Sequence, residues 1–266
     1  MTSAVAIPDI EKIILLRGTH RSRDEGICAL EAAAWLAGEK HTANPVCVCP
    51  VLRRFVSPFN DRLDDENRQR LKPYLARLLN TANDGKSKAR CYLAADWLVR
   101  EGTPFWLDQV QELKEHARIL REIAPIKTTK DLASARPLFA NAKKATLAAR
   151  SAYCAKLPPA AFDAFAAFAA VDAFAAFDAF AAFAAVDAFA AVDAFAAVAA
   201  FAAFAAFAAV DAFAAVAASN ASAKNKGATV EELKATIRER IAPLKAASID
   251  SGFALLDRLI EGQAAA

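Results

Sequence analysis

Glycine is scarce in this 266-residue chain, with eight residues in all. A phosphate cradle needs clustered glycines so that backbone N–H groups can close around the anion, and the chain has no such loop, which argues against a nucleotide site. No segment alternates apolar and polar residues as a half-buried strand does. The five cysteines are an odd number without a paired Cys-x2-Cys spacing. The opening MTSAVAIPDIEKIILLRG is too charged, and its apolar run too short, for a signal peptide. Reduced thiols in a cytoplasmic setting are therefore expected rather than a disulfide framework. Between residues 161 and 218, Lys, Arg, Gly and Pro are all absent.

What is present is apolar material, 56% of the chain, enough for one large or two modest domains. The net charge of +3 hides a split, because residues 161–218 carry six Asp and the rest carries 33 basic against 24 acidic residues. Those basic residues are interleaved with acids along helical patterns, with no basic run or aromatic platform, so the sequence holds no strong nucleic-acid signal. One uncharged stretch, 194–210, has 17 residues, at the lower limit of a membrane span of about 17–25 residues. It is about two-thirds Ala, is bracketed by Asp193 and Asp211, and has neither Lys/Arg flanks nor interfacial Trp or Tyr. A membrane segment is not expected.

The first 157 residues read as a helical domain of short, well-punctuated helices. Ser22 and Glu25 form a capping box for a helix through Ile27, Leu30 and Trp35 that stops at Gly38. A proline-marked loop follows. From Asp64, the stripe Leu71, Leu75, Leu78 and Leu79 predicts a long helix kinked at Pro73. Asn83, Asp84 and Gly85 make a turn before a helix over 87–100 that Gly102 ends. Thr103 and Pro104 open another, with Trp106, Val110, Leu113, Ala117 and Leu120 at helical spacing and an end before Pro125. An Ala- and Lys-rich helix is expected over 138–156. In 220–266, Thr229 and Glu232 form a capping box, and Phe253, Leu256, Leu259 and Ile260 make the apolar face of short helices expected to dock on the N-terminal domain.

Between them, 158–219 hold an inserted repeat. From Phe162 to Val216 every third residue is Phe or Val, in 19 slots. Phe fills 162, 165, 168, 174, 177, 180, 183, 189, 195, 201, 204, 207 and 213. The slot before is always Ala, and the third slot is Ala or Asp. In an α-helix a three-residue step slips about 60°, so the Phe row winds around the whole helix and no face stays apolar. In a 3₁₀-helix the three rows run straight, as Phe/Val, Ala and Ala/Asp edges, although such runs are usually short and Ala favours α. Polyproline II and strand geometries fit less well, since the first lacks internal hydrogen bonds and the second scatters Phe to both faces. The reading is an all-α chain whose inserted helix, 3₁₀ or α, is a rod. Its apolar edge cannot bury itself, so Phe162, Phe165, Phe168, Phe174, Phe177, Phe180, Phe183, Phe189, Phe195, Phe201, Phe204, Phe207 and Phe213 are expected to drive self-association into a homo-oligomer. A tandem expansion of short DNA units would produce the same strict phase without any selection for shape.

The residues able to carry chemistry cluster early. His20, Cys28, His41, Cys47 and Cys49 are candidate metal ligands, zinc being the metal such residues suit, although Cys-Val-Cys is tight for a zinc module. Alternatively Cys28 or Cys47 serves as a nucleophile activated by His20 or His41, with Glu25 or Glu31 orienting the imidazole. Cys28, Cys91 and Cys154 also fit helical patterns as buried small hydrophobes, and His116, in a charged helix, is expected to be exposed.

The stretch SRDEGICALEAAAWLAGEKHTANPVCVCPVL, with the later NDRLDDENRQRLKPYLARLL and ADWLVRE, resembles a family of uncharacterised bacterial and bacteriophage proteins through its EGxCxxEA, AGExH and CxCPV elements. Some members have Ala-rich triplet stretches before a closing helix similar to ALLDRLI. The resemblance covers the N-terminal ~100 residues and the closing helix. It brings no activity with it, but implies that Glu25, Cys28, Glu31, Gly38, Glu39, His41, Cys47 and Cys49 belong to a common pattern. The expected function is structural, an assembly protein built around the repeat; the alternative is a metal-binding or thiol enzyme using the N-terminal cluster.

Overall fold

The computed structural model describes residues 9–154 and 230–262. The triplet repeat and its Phe positions, the candidate span 194–210 and the Thr229 cap lie outside the described residues. The fold is all-α, with no strand among the described residues. Its helices are α1 (Ala29–Leu36), α2 (Pro50–Arg62), α3 (Asp65–Gln69), α4 (Lys72–Leu78), α5 (Ser87–Trp97), α6 (Thr103–Leu107), α7 (Lys114–Arg121), α8 (Thr129–Cys154) and α9 (Val230–Glu261). Among the described residues no helix is long and apolar enough to cross a membrane.

The N-terminal helix box sits later than the sequence pattern places it. Ser22 and Glu25 form only a turn, Glu25 N–H donating to the Ser22 carbonyl. The box is made by Cys28 and Glu31 at the start of α1, where the Glu31 carboxylate reaches back to the Cys28 N–H at 2.8 Å. A carboxylate satisfies that free N–H better than water does in a buried helix end. Gly38, at φ +72°, ends the helix as its sequence position implies.

The expected loop after Gly38 contains α2, whose two prolines disguise it. Pro50 opens the helix, where a missing N–H costs nothing, and Pro58 lies within it. Val51, Leu52, Phe55, Val56 and Phe59 are nevertheless buried along one face. The expected kinked helix after Asp64 is instead two helices, α3 capped by Asp64 and α4 with Pro73 in its first turn. The expected helix after Thr103 is likewise interrupted into α6, a 3₁₀ turn at Gln111–Leu113 and α7. All five of its apolar positions, Trp106, Val110, Leu113, Ala117 and Leu120, are buried. The helix expected from 138 begins at Thr129, because Thr128 and Asp131 make a reciprocal cap.

The extended segment 13–16 precedes these helices, with Ile13 and Leu15 inward and Ile14 and Leu16 outward. One backbone bond, Leu16 N–H to Ile27 O at 2.8 Å, and two side-chain amides hold it. The Gln69 amide accepts from Leu15 N–H and donates to Leu15 O. Buried Asn60 donates to Leu16 O and accepts from Ala29 N–H, the first free donor of α1.

Helix α9 is one 32-residue element with Pro243 inside it, not a pair of short helices. Its end packs on α2, α4 and α5. Phe253 lies 4.9 Å edge-on from Phe59 and 5.7 Å from Tyr74, with the Arg70 guanidinium 4.3 Å from its ring centre. Asp257 accepts from Tyr74 and Arg77, and Arg258 pairs with Glu101. Buried Leu255, Leu256 and Leu259 share one core with Leu52, Phe59 and Ala94. Burial of the Phe253 and Leu256 side chains contributes roughly 1.5–3 kcal/mol each.

Candidate functional site

The five candidate ligands do not converge on one point. His20 and His41 meet at Glu31, Cys47 turns to Glu39, and Cys49 faces Ser87. Among the described residues, no group of three or more His, Cys, Asp or Glu side chains is arranged to hold a metal ion.

Glu31, 1% exposed, is the centre of the first group. Its Oε1 accepts from His20 N–H at 2.8 Å, and its Oε2 accepts from His20 Nδ1 and Cys28 N–H, both at 2.8 Å. An ionised carboxylate only accepts, so His20 carries its proton on Nδ1. Burial pushes the Glu31 carboxyl up, but the His20 and Cys28 N–H groups and the His20 ring outweigh it and hold the pKa below the usual value. His41 Nε2 donates to His20 O at 3.0 Å and lies 3.7 Å from Glu31 Oε1, while His41 Nδ1 is buried without a partner. The other ring edge of His20 rests on Gly26, where a Cβ would come within 2.6 Å of Cδ2 and 2.7 Å of Nε2. The carboxylate thus fastens the loop 18–28 to α1, and the imidazole is a packed strut.

Cys28 and Cys47 are held as thiols. Burial pushes Cys28 up to about 12, with the neighbouring Glu31 charge adding to the shift. Burial, then a hydrogen bond to Glu39, pushes Cys47 up to about 11. A nucleophilic cysteine needs the opposite, a cationic neighbour that favours thiolate. Glu39 itself closes the turn after α1 by accepting from Val46 and Cys47 N–H, both at 2.9 Å. Cys49 is buried, its Sγ 3.2 Å from Ser87 Oγ. Cys28, Cys47, Cys49 and Cys91 are free thiols. Glu25 does not reach the histidines and instead accepts from Arg21 N–H. His116 is half-buried on α7 rather than fully exposed.

A second locus lies where the sequence pattern marks only a helix end. Helix α5 does not stop at Gly102 but continues through a π-turn, Leu98–Gly102, into α6. Thr103 N–H donates to Leu98 O, five residues back. Pro104 explains the widening, since its ring would strike the Arg100 carbonyl in an α-turn and it has no N–H to offer it. The turn leaves Thr103 Oγ1 and Arg100 Nε buried without partners, an arrangement that costs about 1–3 kcal/mol per group. Such π-turns occur frequently at functional sites.

Beside this turn is a cleft of about 370 Å³, mostly apolar, closed on one side by α9. Trp97, Phe105 and Trp106 line it, the last two rings edge-to-face at 5.1 Å. Gly102 keeps it open at the Trp97 ring, where a Cβ would come within 3.2 Å. Arg100 and Arg121 supply guanidinium groups, and Ser248 and Ser251 come from α9. The sequence pattern puts Trp106 on an apolar helical stripe and ends a helix at Gly102, and neither feature marks a cleft. The signal was the density of Trp, Arg, Gly and Phe within 97–106.

No protein-family model matches this chain, no curated protein matches it, and no solved structure matches it.

Proposed function

We propose that this chain is a structural, self-associating protein, in which the helical domain carries the triplet repeat and the repeat joins copies into a homo-oligomer. The observation that carries the reading is the unbroken phase of 19 triplets with 13 Phe in a single slot. Each buried Phe is worth roughly 1.5–3 kcal/mol, so an edge of this length gains far more from a second copy than it loses in ordering. In a 3₁₀ geometry the Ala row would allow close approach and the Asp row would keep one side wet. The chemistry of the N-terminal cluster supports the same reading from the other side. Glu31, Glu39, Cys28 and Cys47 are engaged in loop and helix closure, and the thiols sit far from the range in which they attack. A cytoplasmic setting accords with four free thiols among the described residues.

The test replaces residues 162–216 with a Gly/Ser linker of equal length and compares light-scattering mass and negative-stain images with those of the intact chain. The intact chain is expected to form uniform oligomers and the replaced chain a folded monomer. An intact chain that is itself monomeric, or an unchanged mass after replacement, would sink the assembly reading.

A further inference from the structure

We propose that the cleft beside the π-turn is a binding site for a small aromatic monocarboxylate. Its volume, about 370 Å³, falls at the lower end of the roughly 300–1,000 Å³ of small-ligand pockets, which suits one or two rings. The apolar part of the lining is aromatic rather than aliphatic. Trp97, Phe105 and Trp106 offer ring faces and edges to a flat guest.

The polar part sets the charge of the guest. Three ion pairs surround the cleft: Arg100 with Asp96, Arg121 with Asp108, and Arg258 with Glu101. Their formal charges cancel, so the cleft has no excess field to attract a polyphosphate. Each guanidinium nonetheless has five N–H donors in a planar fork. Both Arg100 contacts to Asp96 come from one nitrogen, and the Arg121 contact to Asp108 uses one nitrogen. Donors remain for a single carboxylate, which a guanidinium recognises by geometry as well as charge. Ser248 adds a hydroxyl from α9. It is 6% exposed and lines the cleft. The hydroxyl of Ser251 is already taken by the Trp97 indole at 2.8 Å, which fixes that ring as a wall.

This site is independent of self-association through the repeat. The test is isothermal titration calorimetry on the full chain, per protomer, with trans-cinnamate and its neutral counterpart cinnamyl alcohol. Cinnamate is expected to bind one site per protomer and the alcohol at least about tenfold more weakly, the loss of one charge-assisted contact. Arg121→Gln, at a half-exposed position that leaves the core alone, is expected to weaken cinnamate about tenfold and to leave the alcohol unchanged. Phe105→Ala, checked for folding by circular dichroism, should weaken both. An absence of binding up to roughly 5 mM cinnamate, equal affinity for acid and alcohol, or undiminished cinnamate binding by Arg121→Gln would each overturn the proposal. Arg121→Gln keeps that judgement possible if Phe105→Ala does not fold.

Discussion

Arg90 is fully buried, and its guanidinium forks onto the carboxylate of Asp84, with NH1 2.7 Å from Oδ1 and NH2 on Oδ2. The same head donates to Leu259 O at 2.7 Å and Ile260 O at 3.2 Å, carbonyls of the last turn of α9 that have no partner within their own helix. One side chain therefore closes the 80s turn and caps a helix from the far end of the chain.

Arg90→Met is expected to cost about 1–3 kcal/mol, because the buried Leu259 carbonyl loses its donor and the exposed Asp84 carboxylate loses its ion-pair partner. Asp84→Asn should cost less, since the carbonyl contacts survive. Urea denaturation measures both. A loss below about 1 kcal/mol for Arg90→Met would show that α9 is held by its apolar face alone.

Glu31→Gln should cost about 1–3 kcal/mol at neutral pH, as the amide presents an NH2 to donors that need an acceptor. The folded carboxyl titrates below its ordinary 4.5, so the unfolded state binds protons first as pH falls. The Glu31 contribution is complete above about 4.5 and disappears as pH drops through the folded value. The stability gap between wild type and Glu31→Gln is therefore expected to narrow below pH 4.5. A gap that stays constant down to acid pH would rule out the carboxylate charge as its source.

Gly26→Ala is expected to destabilise by about 1–3 kcal/mol. At φ +151° the backbone disfavours a side chain, and the new Cβ would meet His20 at 2.6 Å and Leu16 Cδ1 at 2.8 Å. His20→Ala in the same background removes the ring clash but not the backbone strain, so it should restore only part of the melting temperature. Full restoration would assign the whole cost to the imidazole.

Native Cys28 and Cys47 should alkylate slowly with iodoacetamide at pH 8 and rapidly once unfolded, because only the thiolate reacts. Their folded values of about 12 and about 11 lie above the ordinary 9.0. The stabilisation from keeping them protonated is full below pH 9 and is lost as pH rises from there through the folded values. Fast modification of native Cys28, read by peptide mass, would revive the thiol-enzyme reading.

Local sequence carried the helical character, the stop at Gly38, and the burial of Trp106, Val110, Leu113, Ala117 and Leu120. Each of these depends on neighbours three or four residues away, or on one backbone angle that glycine tolerates. The candidate cluster was legible as residue types but not as roles, since His20 and Cys28 read alike as metal ligands or as a triad oriented by Glu31, while the helix cap was placed at Ser22 and Glu25. Their roles follow from which backbone N–H groups Glu31 faces, and that is set by the path of the loop 18–28. Helix α2, the π-turn and the burial of Arg90 were decided only by the tertiary structure. Pro50 and Pro58 look like loop markers until Phe55 and Phe59 find the core, and the widened turn makes sense only with Pro104 and Trp97 in place. Arg90, a charged residue that the pattern would leave in water, is buried because its partners Leu259 O and Ile260 O lie 169 and 170 residues along the chain. No window of local periodicity spans that distance.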